Sequence, residues 1–233
     1  SASVDNAQNG TIKIYVGPYQ GTTDIPTVTT GASSKETLYL WGGANNTITN
    51  AGTLTQQNAS SYVIRTDAVA TTTVDNTGTI NGSILGATVA SDPLRSAGGV
   101  NQFVFAGPSS IDVHNRQGGN LNAGLLLDVR NLDNQGTLAV GGSNQIGTTR
   151  LTGDLRQSGD GRLMIDLDPR QPLDSEQGDR LIIDGSANLG GKVTVNLLDT
   201  WQAVPGEQSL AILTAGGGLT LGEQPLTQSA VAQ

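Results

Sequence analysis

Asn50-Ala51-Gly52-Thr53-Leu54, Asn76-Thr77-Gly78-Thr79-Ile80 and Asn134-Gln135-Gly136-Thr137-Leu138 are three copies of one pattern, Asn-x-Gly-x-(Leu/Ile). Weaker copies stand at Gln8-Asn9-Gly10-Thr11-Ile12, Ser96-Ala97-Gly98-Gly99-Val100 and Gly159-Asp160-Gly161-Arg162-Leu163, and Asn115 opens a version one residue longer. First positions at 50, 76, 96, 115, 134 and 159 give separations of 26, 20, 19, 19 and 25 residues. That spacing is too short for a strand–helix–strand unit and too regular for unrelated hairpins. With no helical pattern and about three strand-sized segments per period, it predicts an all-β chain wound as a right-handed parallel β-helix.

In such a coil each rung buries its Val, Leu and Ile against the same positions of the rungs above and below. Strands stack ~4.8 Å apart, so about ten rungs make a rod on the order of 50 Å long. The repeat glycine is expected to supply a positive φ at the corner, and the asparagines to stack amide on amide as a ladder.

Other segments read as strands by period-two alternation. In Thr11–Val16, residues Ile12, Ile14 and Val16 share a face, and Thr27-Val28-Thr29 is a weaker strand. A capping-box match at Ser33-x-x-Glu36 competes as a helix start. The alternation of Thr37-Leu38-Tyr39-Leu40-Trp41 predicts a strand instead. Gln102–Phe105, Ile111–Val113 and Leu125–Val129 also alternate, with Phe103 and Phe105 expected in the core or along one face. The loop around Ala90-Ser91-Asp92-Pro93 is the expected excursion from the coil.

Composition agrees with short strands and tight turns. Glycine contributes 32 of 233 residues, aromatics only 3%, and charged residues 14% against about a quarter in ordinary domains. The net charge of -8, with no basic patch to displace phosphate counterions, argues against a nucleic-acid partner and disfavours anionic membranes. Without cysteine there is no disulfide or thiolate metal site. No apolar run approaches the ~20 residues of a membrane-spanning helix. Ser1-Ala2-Ser3-Val4-Asp5 carries neither the basic nor the apolar part of a signal peptide.

From Leu151 the chain reads Leu151-Thr152-Gly153-Asp154-Leu155, then Gly161-Arg162-Leu163-Met164-Ile165-Asp166-Leu167, then Gly178-Asp179-Arg180-Leu181-Ile182-Ile183-Asp184-Gly185. It continues through Ala187-Asn188-Leu189-Gly190-Gly191 to a last apolar strand before Ala215-Gly216-Gly217. This stretch, over residues 148–221, resembles the C-terminal autochaperone region of Gram-negative autotransporter passengers, the type V secretion class. The Asn-x-Gly corners are similar to the rungs of those passengers. The resemblance implies β-helix rungs over 1–147, autochaperone-like rungs and a cap over 148–221, and over 222–233 the start of a linker to a membrane β-barrel that this chain does not include. It implies a protein at the cell surface or outside the cell, a virulence-type adhesin acting in adhesion, autoaggregation or biofilm formation. The implied partners are that barrel, host-surface receptors or other copies of the passenger. The alternatives are the stalk of a secreted protease or esterase, and a carbohydrate-active β-helix of the lyase, hydrolase or tailspike kind.

No catalytic, cofactor-binding or metal-ligating residue is assigned, and no enzyme activity is expected. Asp166 and Asp168 lie two apart on a strand, their carboxylates on one face about 7 Å apart, a separation that suits a glycosidase pair. The simpler reading makes them a solvated outer face, with Leu163, Ile165 and Leu167 inside and Leu181/Ile183, Val193/Val195/Leu197 and Leu210/Ile212 continuing the core. Asp160, Asp174, Glu176, Asp179 and Asp184 add acidity nearby, without an EF-hand or nonapeptide calcium repeat. His114, the single histidine, removes any multi-histidine metal site, and Gly107-Pro108-Ser109-Ser110 reads as a turn. Neither a nucleophile elbow nor a phosphate-binding loop is present. Of the tryptophans Trp41 and Trp201, the second is expected to cap the open end of the core, with an exposed binding role as the alternative.

Overall fold

The computed structural model describes residues 3–6, 11–12, 27–29, 37–41, 45–56, 61–66, 71–86, 89–91, 104–105, 107–170, 177–198, 209–222 and 227–232. The protein is all-β, with no helix among the described residues and so none able to cross a membrane. Its strands form three parallel stacks, the arrangement of a parallel β-helix.

The first stack is an eight-stranded sheet of β1 (Ser3–Asn6), β5 (Asn45–Asn50), β8 (Thr71–Asn76), β12 (Ile111–Asn115), β14 (Asn131–Asn134), β17 (Asp154–Gln157), β20 (Ala187–Leu189) and β23 (Leu219–Leu221). After a corner the chain enters the second stack: β2 (Thr11–Ile12), β6 (Thr53–Thr55), the first half of β9 (Thr79–Leu85), the first half of β13 (Asn120–Asp128), β15 (Thr137–Ala139), β18 (Arg162–Leu167), β21 (Lys192–Leu197) and β24 (Thr227–Ala232). The third stack holds β4 (Leu38–Trp41), β7 (Tyr62–Thr66), the second halves of β9 and β13, β16 (Thr148–Leu151), β19 (Arg180–Ile183) and β22 (Leu213–Ala215). Eight described levels make a stack on the order of 35 Å long, shorter than ten would give.

The registers explain why these residues form these strands. One aliphatic column runs Ile48, Val74, Val113, Leu132, Leu155, Ala187 on the first stack. Leu54, Ile80, Leu121, Leu138, Leu163 and Val193 form the second, and Leu38, Ile64, Ile84, Leu127, Leu151 and Ile183 the third. All these residues are buried in one core, each Val, Leu or Ile contributing about 1.5–3 kcal/mol by leaving water. Parallel pairing continues from β13 to β16 and from β15 to β18, so the same columns serve residues before and after Thr148.

The asparagine ladder forms as expected. Asn50 Nδ2 donates to Asn76 Oδ1 (2.7 Å), Asn76 to Asn115 (2.8 Å), Asn115 to Asn134 (2.8 Å) and Asn134 to Gln157 Oε1 (3.0 Å). Its steps, however, span 26, 39, 19 and 23 residues. Ser96 therefore opens no rung: β8 and β12 pair directly over five residues, which leaves no level between them. The surplus chain leaves the coil after Gly86, where β10 (Val89–Ser91) pairs antiparallel with β11 (Val104–Phe105). That is the excursion expected around Ala90–Pro93, although Pro93 and Phe103 lie outside the described residues. Phe105 packs on a small cluster of Tyr62, Leu85 and Leu126, under the guanidinium of Arg150.

Two further expectations need correction. The corner after Asn115 is two residues longer than that after Asn76, because Gly119, not Gly118, takes the place of Gly78: Asn120 N donates to Gly78 O and Thr137 N to Gly119 O. Gly78 and Gly136 do not have positive φ. They are glycines because a Cβ at either would overlap the carbonyl oxygen of the equivalent glycine one rung below, Gly52 O or Gly119 O.

At the amino end, β3 (Thr27–Thr29) pairs antiparallel with β4, so 38–41 is strand rather than helix. Residues 13–16, and Trp201 with its expected cap, lie outside the described residues. At the other end, Leu219 and Leu221 continue the inward positions of Ala187 and Leu189 yet are 52% and 67% exposed, because no described strand stacks beyond them. Leu210 and Ile212 are only half-buried there.

Candidate functional site

The acidic pair singled out in the sequence is placed by the fold in an unexpected setting. β18 keeps Leu163 and Ile165 fully buried, while Leu167 is half-buried. On its other face, Asp166 and Asp168 are buried too, at 1% and 7% exposure, which overturns their reading as a solvated surface. Two segments cover them. Residues 177–179 return antiparallel beside the strand's end, with Asp168 N donating to Gln177 O and Asp179 N to Asp166 O. The loop 140–147 crosses above.

Each carboxylate has its own partners. Asp168 pairs with Arg170, Nη2 to Oδ2 at 2.8 Å. Asp166 accepts Gln145 N–H on Oδ2 (2.8 Å) and Asn196 Nδ2 on Oδ1 (2.8 Å). Asp179, fully buried, accepts Gly147 N–H (2.8 Å) and Asp166 N–H (2.6 Å). Burial pushes the Asp179 carboxyl up to about 7, helped by the Asp166 charge and opposed by the two N–H donors. A glycosidase pair must face a substrate-sized space, and Asp166 and Asp168 face protein backbone and side chains instead. In the sequence Asp179 stands only as one of several nearby acids. The signal for burial was the apolar context on both sides of 163–168 and 178–183, but nothing in it named the loop that does the covering.

The other residues singled out do not converge. His114 lies on the outer face of β12 with Nδ1 3.2 Å from Asp133 Oδ2. Ser109 and Ser110 are buried where the excursion rejoins the coil, donating to Asp128 O (2.8 Å) and Gly86 O (3.0 Å), so neither hydroxyl is poised as a nucleophile. Asp184 pairs with Arg150 at 2.8 Å, and Asp160 accepts Gln117 Nε2 at 3.0 Å. Asp174 and Glu176 lie outside the described residues. No cluster of three metal-ligating side chains occurs among the described residues.

Two of the surface depressions among the described residues border side chains named above. The larger, about 600 Å³, is an open groove along the outer face of the first stack, lined by Asp112, His114, Asp133, Asp154, Arg156 and Asn188 among others. Burial pushes the Asp112 carboxyl up, but hydrogen bonds from Arg130 and Asn131 and the charges of Arg130 and His114 outweigh it and hold Asp112 below the ordinary carboxylate range. A group so held is a poor general acid or base at neutral pH. The smaller cleft, about 310 Å³, runs between Thr55, Asn81 and Asn122 on one side and Gly142, Ser143 and Gln145 of the loop on the other. Its amides are partly linked already, Asn122 Nδ2 to Asn81 Oδ1 at 2.6 Å and Asn81 Nδ2 to Thr55 Oγ1 at 3.0 Å.

No protein-family model, no curated protein and no solved structure matches the chain.

Proposed function

We propose that the chain is a passenger segment of an autotransporter, a surface-displayed or secreted solenoid whose C-terminal rungs nucleate the stacking of the rest and whose whole protein serves adhesion or aggregation. The observation that carries this reading is the way residues 124–198 are cross-linked. Beyond the shared aliphatic columns, Asp128, Thr149, Thr152, Gln157, Asp166, Asp179 and Asn196 link through their side chains to neighbouring levels. In a one-dimensional stack, stability is a sum of rung and interface terms, so levels joined by such links form a seed on which others add. Exposed Leu219 and Leu221 are inward positions that offer the same columns to whatever follows. With Asp166 and Asp168 buried, the carbohydrate-active alternative loses the pair on which it rested.

The test joins the full chain to an outer-membrane β-barrel and measures surface display by protease accessibility. Leu163→Asp or Ile183→Asp, in the C-terminal rungs, should reduce display at least about tenfold more than Ile48→Asp or Val74→Asp, although all four residues are buried. Equal losses, or a larger loss from the N-terminal pair, would sink the nucleation reading.

A further inference from the structure

The loop 140–147 is bent by three left-handed residues, Gly141 (φ 69°), Gly142 (φ 107°) and Asn144 (φ 58°), the last being the only described non-glycine with positive φ. Such a conformation persists in a non-glycine residue only where surrounding contacts hold it. Here the contacts are few and specific. Val140 N donates to Met164 O, Gly141 N to Thr149 Oγ1, and Asn196 Nδ2 reaches Asn144 Oδ1 at 3.3 Å. The remaining tethers are Gln145 N–H to Asp166, Gly147 N–H to Asp179 and Arg180 N–H to Gly147 O. Gly142, Ser143 and Gln145, between these anchor points, form one wall of the amide-lined cleft.

We propose that residues 140–147 are a proton-operated flap: the buried Asp179 carboxyl, tethering the loop beside Asp166, holds it closed while protonated, and loss of that proton loosens the loop and widens the cleft. Among the described residues no cation pairs with either acid, and the nearest charged neighbours do not supply one. Asp168 is paired to Arg170, and Arg180, next to Asp179 in the chain, is exposed. The loop carries no titratable side chain, and β21 presents Thr194 and Asn196. The second negative charge is thus met by backbone N–H groups alone.

The direction follows from linkage. With the loop closed the Asp179 carboxyl titrates near 7, and opened to water it returns toward the ordinary 3.8, so the closed form binds the proton more tightly. Closure is therefore fully favoured below the ordinary value, progressively lost as pH rises from there to about 7, and constant above it. Partial solvation of the pair moderates the effect.

Hydrogen exchange on the full chain, corrected for the intrinsic rise of exchange with pH, tests the proposal. Protection over 140–147 should fall about tenfold between pH 5 and pH 8, while Leu138 and Leu151, flanking the loop, stay constant. Asp179→Asn should make loop protection independent of pH, and Asp166→Asn should move the transition to lower pH by removing the neighbouring charge. Flat protection in the native chain, or the same pH dependence in both variants, overturns the proposal. Should Asp179→Asn fail to fold, the carboxyl carbon resonance of Asp179 in the native chain decides: a midpoint near 7 supports the flap, and one in the ordinary carboxylate range removes it.

Discussion

Asn115→Ala should lower stability by about 3–4 kcal/mol, read as a fall in the urea midpoint at unchanged slope. Asn115 is fully buried at the middle of the ladder. It accepts from Asn76 and donates to Asn134 Oδ1, Gly119 O and Thr137 O. Truncation leaves Asn134 Oδ1 without its donor, removes a bond from the Gly119 and Thr137 carbonyls and opens a cavity at the corner. An unmet buried acceptor alone costs about 1–3 kcal/mol, and the cavity adds to it. Gln157→Leu should cost less, about 1–2 kcal/mol, since Asn134 Nδ2 keeps the Arg162 carbonyl and the equivalent position one level on is already Leu189. Combining Asn76→Ala with Asn115→Ala should fall short of the sum, because the two amides share one bond. If Asn115→Ala costs no more than Gln157→Leu, the ladder is decoration rather than support.

The ladder was legible because it is local: Asn, one or more spacers, Gly and an aliphatic residue recur within a few positions, and the chemistry of a corner dictates all of them. What escaped was the bookkeeping of levels. Gln157 sits six residues before Leu163 as Asn115 sits six before Leu121, a match that places both on the longer corner. Matching on Gly159 instead shifted that copy by two. The evenly spaced Ser96 copy misled for a different reason. Register is fixed by which strands hydrogen-bond, and β8 pairing directly with β12 is a non-local fact that no spacing reveals.

The acids failed at the same boundary between local and tertiary information. Alternation predicted correctly that Asp166 faces away from Leu163 and Ile165. It assumed that away from the core means toward water. In a solenoid the outer face of one level is free to receive a loop from a neighbouring level, and residues 140–147 do so from one rung earlier. A carboxylate roofed by backbone N–H groups is then a tether, and its titration becomes a property of the loop above it. The proposed flap and the proposed nucleus meet here, because the loop 140–147 is tethered to the same C-terminal levels through Asp166 and Asp179.

Gly136→Ala is expected to be as damaging as the loss of an asparagine, about 3 kcal/mol or more, despite adding a single methyl group. Its Cβ would lie 2.6 Å from Arg116 O and closer still to Gly119 O. Both are backbone atoms, fixed by the bonds Gly119 N to Arg116 O and Thr137 N to Gly119 O. Relief requires prying two levels apart, which weakens the ladder bond between Asn115 and Asn134 at the same corner. Gly118→Ala provides the contrast. There φ is +84°, so alanine is strained by about 1–2 kcal/mol, but its Cβ meets nothing within 4 Å. Gly118→Asn, whose side chain tolerates the left-handed region, should recover most of that loss, whereas Gly136→Asn should recover nothing. Urea midpoints of the four variants separate the two causes. A larger cost at Gly118 than at Gly136 would mean that backbone conformation, and not the close approach of successive levels, selects glycine in the repeat.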